Sequence, residues 1–404
     1  MAIKAGQILH AGNNFVIDRI QTGGVSNLNI PEEKIYELGN YASVANVRDI
    51  PEVTFDLESL DVSPEIEALL IGDDPTALVD GDEIDLSNHM PLDIISPFKA
   101  GGTSYAITSG IVVPYLTLES ATWRYGVGQN ATKQFSLRTD GVLYIEGSPY
   151  TETHTLVNNT LTYTFANTAL AYTEGGDTFY ALSACVKNPT TKVYKRLFLG
   201  VDYTNTNADI TLLEDQFDEG YTQLHVTYGS ATAATYNASV HQNVSVKPAA
   251  VKGKDIVVRV SDGAATPTLT RWSGVQSAEV TRRVTLENDQ EFDNQKYVGS
   301  DYDVPEVSGN IVVKSVDPAD LFDKIAQITN TTSAAIHGLH SSQALEVEIE
   351  IHNPETAVTE ETIYIPDARF LPPATQGRVQ TKLEATFPFT SDSGVVKVYK
   401  GERP

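Results

Sequence analysis

Sulfur is nearly absent from this sequence. A single cysteine, Cys185, stands among 404 residues, so one chain forms neither an internal disulfide framework nor a thiolate metal cluster. Its expected role is that of a small buried apolar residue. Positive charge is also scarce. Against 53 Asp and Glu there are 28 Lys and Arg, a formal net charge of -25. Proteins that grip phosphate concentrate Lys and Arg, so this balance argues against a nucleic-acid binder. Long apolar runs are missing too. No stretch approaches the roughly 18 apolar residues of a spanning helix, and Met1-Ala2-Ile3-Lys4 lacks the apolar centre of a signal peptide. The expectation is therefore no membrane insertion and no export through a cleaved leader.

What is present has the composition of a soluble globular protein: 41% hydrophobic, 20% charged, mean hydropathy -0.19. The length exceeds the roughly 250 to 300 residues that one core supports, which predicts two or three domains. From Asp49 to Asp85 there are thirteen acidic residues and no Lys or Arg. Short alternating runs dominate, as in Val53-Thr-Phe-Asp-Leu57, Leu224-His-Val-Thr-Tyr228, Leu345-Glu-Val-Glu-Ile-Glu-Ile351 and Val395-Val-Lys-Val-Tyr399. That period of two predicts a mainly β, mostly antiparallel protein. Two helices are written with Pro near the start. In Ser63-Pro64-Glu65-Ile-Glu-Ala-Leu-Leu70, Ser63 is the expected cap and Pro64 the first helical residue; Asp317-Pro318 opens the second, running to Ile325.

These two helices begin matching blocks. Asp49-Ile-Pro-Glu-Val53 parallels Asp303-Val-Pro-Glu-Val307, and the same offset pairs Leu57 with Ile311 and Pro64 with Pro318. Val113 to Asp140 then runs without gaps beside Ile365 to Asp392, keeping Pro114 with Pro366, Val127 with Val379, Phe135 with Phe387 and Asp140 with Asp392. One domain is thus written twice, over residues 1–148 and 256–404. Residues 149–255 lie between them, rich in Thr, Tyr and Asn. Strand candidates there at Leu161 to Phe165, Phe179 to Val186, Val193 to Phe198, Ile210 to Leu213 and Tyr221 to Tyr228 predict a small immunoglobulin-like β-sandwich without the cysteine pair.

No catalytic constellation assembles from these residues. His337-Gly-Leu-His340 lacks the Glu of a zincin helix, and Gly126-Val-Gly128 has no parallel strand-helix unit around it. Asp56 and Glu58 share one strand face and could flank a glycosidic bond, yet a wet strand face studded with acids is the commoner origin of such a pair. The expectation is a protein without catalytic, metal or cofactor sites. In Val53 to Glu58 the apolar set points one way, and Thr54, Asp56 and Glu58 the other. Glu346, Glu348 and Glu350 alternate in the same manner with Leu345, Val347, Ile349 and Ile351.

Ile35-Tyr36-Glu37-Leu38-Gly39, then Val53 to Ser59, then the Pro-started helix in Asp61 to Leu70, resemble the tail tube (major tail) proteins of tailed bacteriophages. Tyr115 to Val127 and Thr132 to Thr139 are similar to that family's second hairpin. The likeness covers both ends, and the duplicated order resembles tube proteins with two tube domains in one chain. It implies two rolled antiparallel β-sheet or sandwich domains, each with a flanking helix, plus the inserted middle sandwich. It further implies self-association into stacked rings around a channel, a trimer with pseudo-sixfold symmetry being favoured over a hexamer. The implied partners are the tape measure protein, tail terminator or baseplate proteins, and DNA passing without specific binding. The implied location is the virion tail, after assembly in the host cytoplasm. Under this resemblance Asp56, Glu58, Glu346, Glu348 and Glu350 are candidates for the channel wall. The segment from Gly72 to Gly101, with Asp73, Asp74, Leu92, Ile94, Ile95 and Phe98, is the candidate arm to a neighbouring subunit. A baseplate hub or distal tail protein, and a carbohydrate-binding adhesin acting through the middle domain, remain the alternatives.

Overall fold

Alternation at Val53, Phe55 and Leu57 decides how the first part of the chain folds, because burying one face of a strand leaves the other for solvent. The computed structural model describes residues 9–11, 15–17, 19–29, 32–35, 45–48, 50–60, 63–97, 104–107, 109–174, 177–232, 234–237, 251–264, 267–289, 299–315, 317–329, 343–376 and 383–404. The architecture is mainly β, with large antiparallel sheets and few helices.

In the first part, β1 (Ile20–Asn29) pairs with β2 (Glu52–Ser59). Helix α1 (Glu65–Leu70) follows, then β3 (Glu83–Asp85) and β4 (Leu92–Pro97). The long β5 (Ser109–Gly126) and β6 (Thr132–Thr139) form the hairpin, and β7 (Leu143–Glu146) ends the unit. The order across one sheet is β1, β2, β6, β5. The N-terminal half of β5 belongs to a second layer, pairing with β4 and β7. Its change of direction falls beside Tyr115, whose φ of 54° lies in the left-handed region and whose N–H is held by Asp93 at 2.7 Å.

Ser63 does not act as the predicted cap. Helix α1 starts one residue later than expected, with Pro64 itself at the N-cap position and no side-chain bond there. Burial holds so short a helix in place: Ile66, Ala68, Leu69 and Leu70 all enter the core.

The middle segment is built mainly from a four-stranded and a three-stranded sheet, with a short hairpin of Tyr172–Glu174 and Asp177–Phe179 beside them. One has the order β8 (Ser148–Thr155), β14 (Gln223–Ser230), β10 (Ala181–Asn188), β11 (Val193–Arg196); the other runs β9 (Thr162–Thr164), β13 (Asp209–Leu212), β12 (Tyr203–Asn205). Ile210, Leu212, Leu224, Val226 and Tyr228 lie in a cluster of their own, separate from the main core. Cys185 is buried, and burial pushes its thiol up to about 12.

The last part repeats the first. Strand β15 (Ile256–Ser261) leads to β16 (Val275–Arg283), β17 (Glu306–Ser315) and helix α2 (Pro318–Thr329), where Asp317 accepts from the N–H of Ala319 at 2.9 Å. Strands β18 (Ala344–His352), β19 (Thr359–Phe370), β20 (Ala374–Gln376), β21 (Leu383–Ser391) and β22 (Lys397–Lys400) complete it. The central strand pairings correspond: Phe135 faces Leu57 as Phe387 faces Ile311, and Leu118 faces Leu137 as Phe370 faces Phe389. At the outer strands the correspondence slips by about two residues, Ile111 facing Tyr144 and Ile363 facing Val398. Apolar residues of both parts share one continuous core, in which each fully buried Leu, Ile or Phe contributes about 1.5–3 kcal/mol.

Candidate functional site

The two repeated sheets meet edge to edge. Ser120 to Gly126 of β5 pair antiparallel with Arg283 to Ser277 of β16, and Val127 N–H to Gln276 C=O (2.8 Å) and Val284 N–H to Glu119 C=O (2.8 Å) extend the ladder at its ends. On the solvent side Thr122 and Thr281 share a hydroxyl bond of 3.2 Å, and Arg124 pairs with Glu279 at 3.5 Å. On the core side Trp123 faces Val280, and both are buried. Strand β3 makes a second link by pairing with β22, where Glu83 accepts from Lys397 and from the Tyr399 hydroxyl, each at 2.7 Å. Partial burial works to raise the Glu83 carboxyl, but these two bonds outweigh it and hold the pKa below the usual value.

Behind the seam sits a buried charge cluster. Lys133 on β6 donates to the Ser63 carbonyl (2.9 Å), to Glu67 of α1 (2.8 Å) and to Glu361 of β19, using all three of its protons. Trp123 donates its indole N–H to the same Glu67 at 3.0 Å. The ammonium and both carboxylates are almost completely excluded from solvent. Burial alone pushes the Lys133 pKa down, but Glu361 and Glu67 more than reverse it and keep the group charged. Residues 228 apart in sequence thus clamp the first unit to the last.

A second buried cation has no such partners. Arg282 on β16 is fully buried, and among the described residues none of its three guanidinium nitrogens has a hydrogen-bond partner. Burial pushes it down to about 10, with Asp85 and Tyr302 acting the other way. His89 lies nearby, its ring edge-on to Tyr302 at 4.0 Å. Burial, helped by Arg282, drops the His89 pKa to about 3, so the ring is neutral. The middle unit docks against this region through Arg196 to Asp140 (2.6 Å), Lys192 to Asp73 (2.7 Å), Thr227 to Asp93 (2.6 Å) and the Tyr194–Tyr302 hydroxyl pair.

The candidate channel residues fall into two groups. Asp56 and Glu58 lie on the solvent face of β2, beside Ser136 and Gln134 of β6, and Asp56 accepts from Ser136 at 2.9 Å. This face continues across the seam, but basic residues are interspersed: Arg138 pairs with Glu52, Arg124 with Glu279 and Lys314 with Glu384. Glu346, Glu348 and Glu350 do not join it. They lie on β18, in the other layer, where Glu348 and Glu350 are buried against Arg259, and Arg403 also reaches Glu346 and Glu348. Basic side chains from β15 and the chain's end cover that face.

The described residues of the candidate arm have partners within this same chain. Leu92, Ile94 and Ile95 are buried inside this same chain, Asp73 pairs with Lys192, and Asp74 accepts from the N–H of Thr76 at 2.9 Å. The segment does leave its own unit, at β3, but to join the last part of the same chain. Phe98, the pair His337 and His340, and the Tyr36 to Gly39 part of the resemblance lie outside the described residues. Gly126 and Gly128 flank a hairpin turn, with Gly128 at φ 79°. Among the described residues no group of three or more His, Cys, Asp or Glu is placed to hold a metal, and no helix is long and apolar enough to cross a membrane.

No protein-family model matches the sequence, and no curated protein matches it. Among solved structures, a chain in the six-fold symmetrised baseplate of the anti-feeding prophage (AFP) is similar over 36% of this chain and 92% of its own length, with 14% identity and a TM-score of 0.26. That likeness is too slight to assign a shared fold.

The features that sequence reasoning missed are the seam itself and the Lys133 cluster. Lys133 carried a signal: it occupies a core-facing position of a strand whose other inward residues, Phe135 and Leu137, are apolar.

Proposed function

We propose that this chain is a tail tube subunit of a tailed bacteriophage, a structural protein whose two repeated sheets supply two of the six segments of a ring. One observation carries the reading. Two equivalent sheets are joined side by side in one chain, and the ladders leave β1 paired only with β2 and β20 paired only with β21 among the described residues. A sheet with an open edge at each end is a template for pairing with further chains, and a ring removes every edge. Three chains then give pseudo-sixfold symmetry, and rings stacked head to tail give a tube. The residues that resemble tail tube proteins support the same reading.

In such a ring the solvent face bearing Thr54, Asp56 and Glu58 lines the channel. Its mixed charge offers passing DNA no continuous row of cationic phosphate sites, so the polymer slides without being held. The reading assigns no catalysis. It places the protein in the virion, with tape measure protein inside the tube and terminator or baseplate proteins at its ends. Negative-stain microscopy and sedimentation of the purified full chain test it. Stacked rings are the expected result; one ring per particle moves the assignment to a baseplate hub or distal tail protein. A monomer at every concentration tested, or glycan binding without assembly, overturns it.

A further inference from the structure

The seam inside the chain is a template whose register can be carried to the free edges. Each repeat places its strands in the same register: Thr122 faces Gln134 as Ala374 faces Thr386, and Val25 faces Phe55 as Val280 faces Gly309. Trp123 and Thr375 are therefore equivalent positions, as are Val280 and Val25; beyond Val25 the strand bulges at Ser26, so Asn27 faces Thr54 as Thr281 faces Ser308, and Asn27 is the equivalent of Thr281. Within the chain Trp123 faces Val280, and Thr122 faces Thr281.

Resting on the tube reading, we infer that the edge Ala374–Gln376 of one copy pairs antiparallel with the edge Ile20–Asn29 of a second copy, with Thr375 opposite the partner's Val25 and Ala374 opposite the partner's Asn27. The occupant is a second copy because the interface already exists once, inside the chain, between equivalent strands. The exposed edge has the character this requires. Asn27 and Leu28 are exposed, and among the described residues a Cβ on Gly24 meets nothing within 4 Å. No described residue of its own chain demands glycine at that strand position, whereas close approach by another backbone accounts for it.

The two seams differ in chemistry. Where the seam inside the chain has Thr122 with Thr281 and Arg124 with Glu279, the seam between chains has Ala374 with Asn27 and Gln376 with Gly24. Backbone hydrogen bonds and core burial hold it without an ion pair, so lateral assembly is insensitive to salt.

The experiment is disulfide trapping in the full chain. Asn27→Cys with Ala374→Cys should cross-link most of the oxidised, assembled protein into covalent rings that survive denaturing electrophoresis without reductant. Either single variant should stay monomeric on the same gel, and so should the off-register pair Leu28→Cys with Ala374→Cys. Thr122→Cys with Thr281→Cys, which closes within one chain, reports that the fold is intact. The buried Cys185 thiol stays silent. Rings seen by microscopy with cross-linking only in the off-register pair overturn this register and leave the tube reading standing. Failure of an otherwise folded chain to assemble at all overturns both.

Discussion

The first and last units share a strand register and differ in what they bury. In the first, the position behind the sheet holds Lys133 between Glu67 and Glu361; the equivalent residues of the last, Ala385 and Leu321, are buried and apolar. There Trp272 packs on Phe370 and Phe387 and donates to Gln327 at 3.0 Å. One scaffold therefore accepts an ionic or an apolar interior at the same place. The lesson is that the Lys133 cluster is not needed to make the fold. It joins the first unit to the last, since Glu361 comes from the other repeat.

The largest effect expected from this comparison follows Lys133→Met. Two buried carboxylates lose their cation, at a cost of about 3–5 kcal/mol in chemical denaturation. Adding Glu67→Leu and Glu361→Met to the same chain should recover most of that loss, because the apolar version already exists in the last unit. A triple variant as unstable as the single one would show that the two interiors are not interchangeable. Next comes Arg282→Met, which removes a buried cation that has no hydrogen-bond partner among the described residues. It should stabilise the protein by about 1–4 kcal/mol, read as a raised denaturation midpoint; a loss of stability would mean that the guanidinium has an unseen acceptor.

Acid supplies a smaller effect with a definite sign. His89 is held near a pKa of about 3, and burial also holds His225 well below its usual value, so both are neutral in the folded state. The unfolded chain protonates these groups at about pH 6.5, so their contribution is complete above that value and declines as pH falls toward the folded pKa. His89→Phe should flatten the stability profile between about pH 6.5 and 4 in thermal unfolding; an unchanged slope would place the acid sensitivity elsewhere. The smallest effect belongs to Glu279→Gln at the exposed end of the seam, where losing the contact to Arg124 should cost under about 1 kcal/mol and vanish in high salt.

Periodicity made much of the fold legible. The runs at Val53, Leu224 and Leu345 became strands, and the offset pairing Phe135 with Phe387 appears as an identical register in both units. Alternation could not say which wet face stays wet. At Asp56 and Glu58 the face remains open, whereas at Glu348 and Glu350 Arg259 and Arg403 cover it, and those come from distant parts of the sequence. The apolar set Leu92, Ile94 and Ile95 read as an arm because a hydrophobic strand looks the same whether its cover belongs to its own chain or a neighbour. The seam was invisible for a related reason: edge pairing leaves no pattern in either strand beyond the one that burial already writes.

A symmetry-resolved electron microscopy map of the assembled protein tests the central claim most directly. The account predicts three chains per ring, six equivalent sheets joined without a break, and Asp56 and Glu58 facing the bore. A ring whose neighbouring chains touch through the middle units, with the Ile20–Asn29 edge left in solvent, would contradict it.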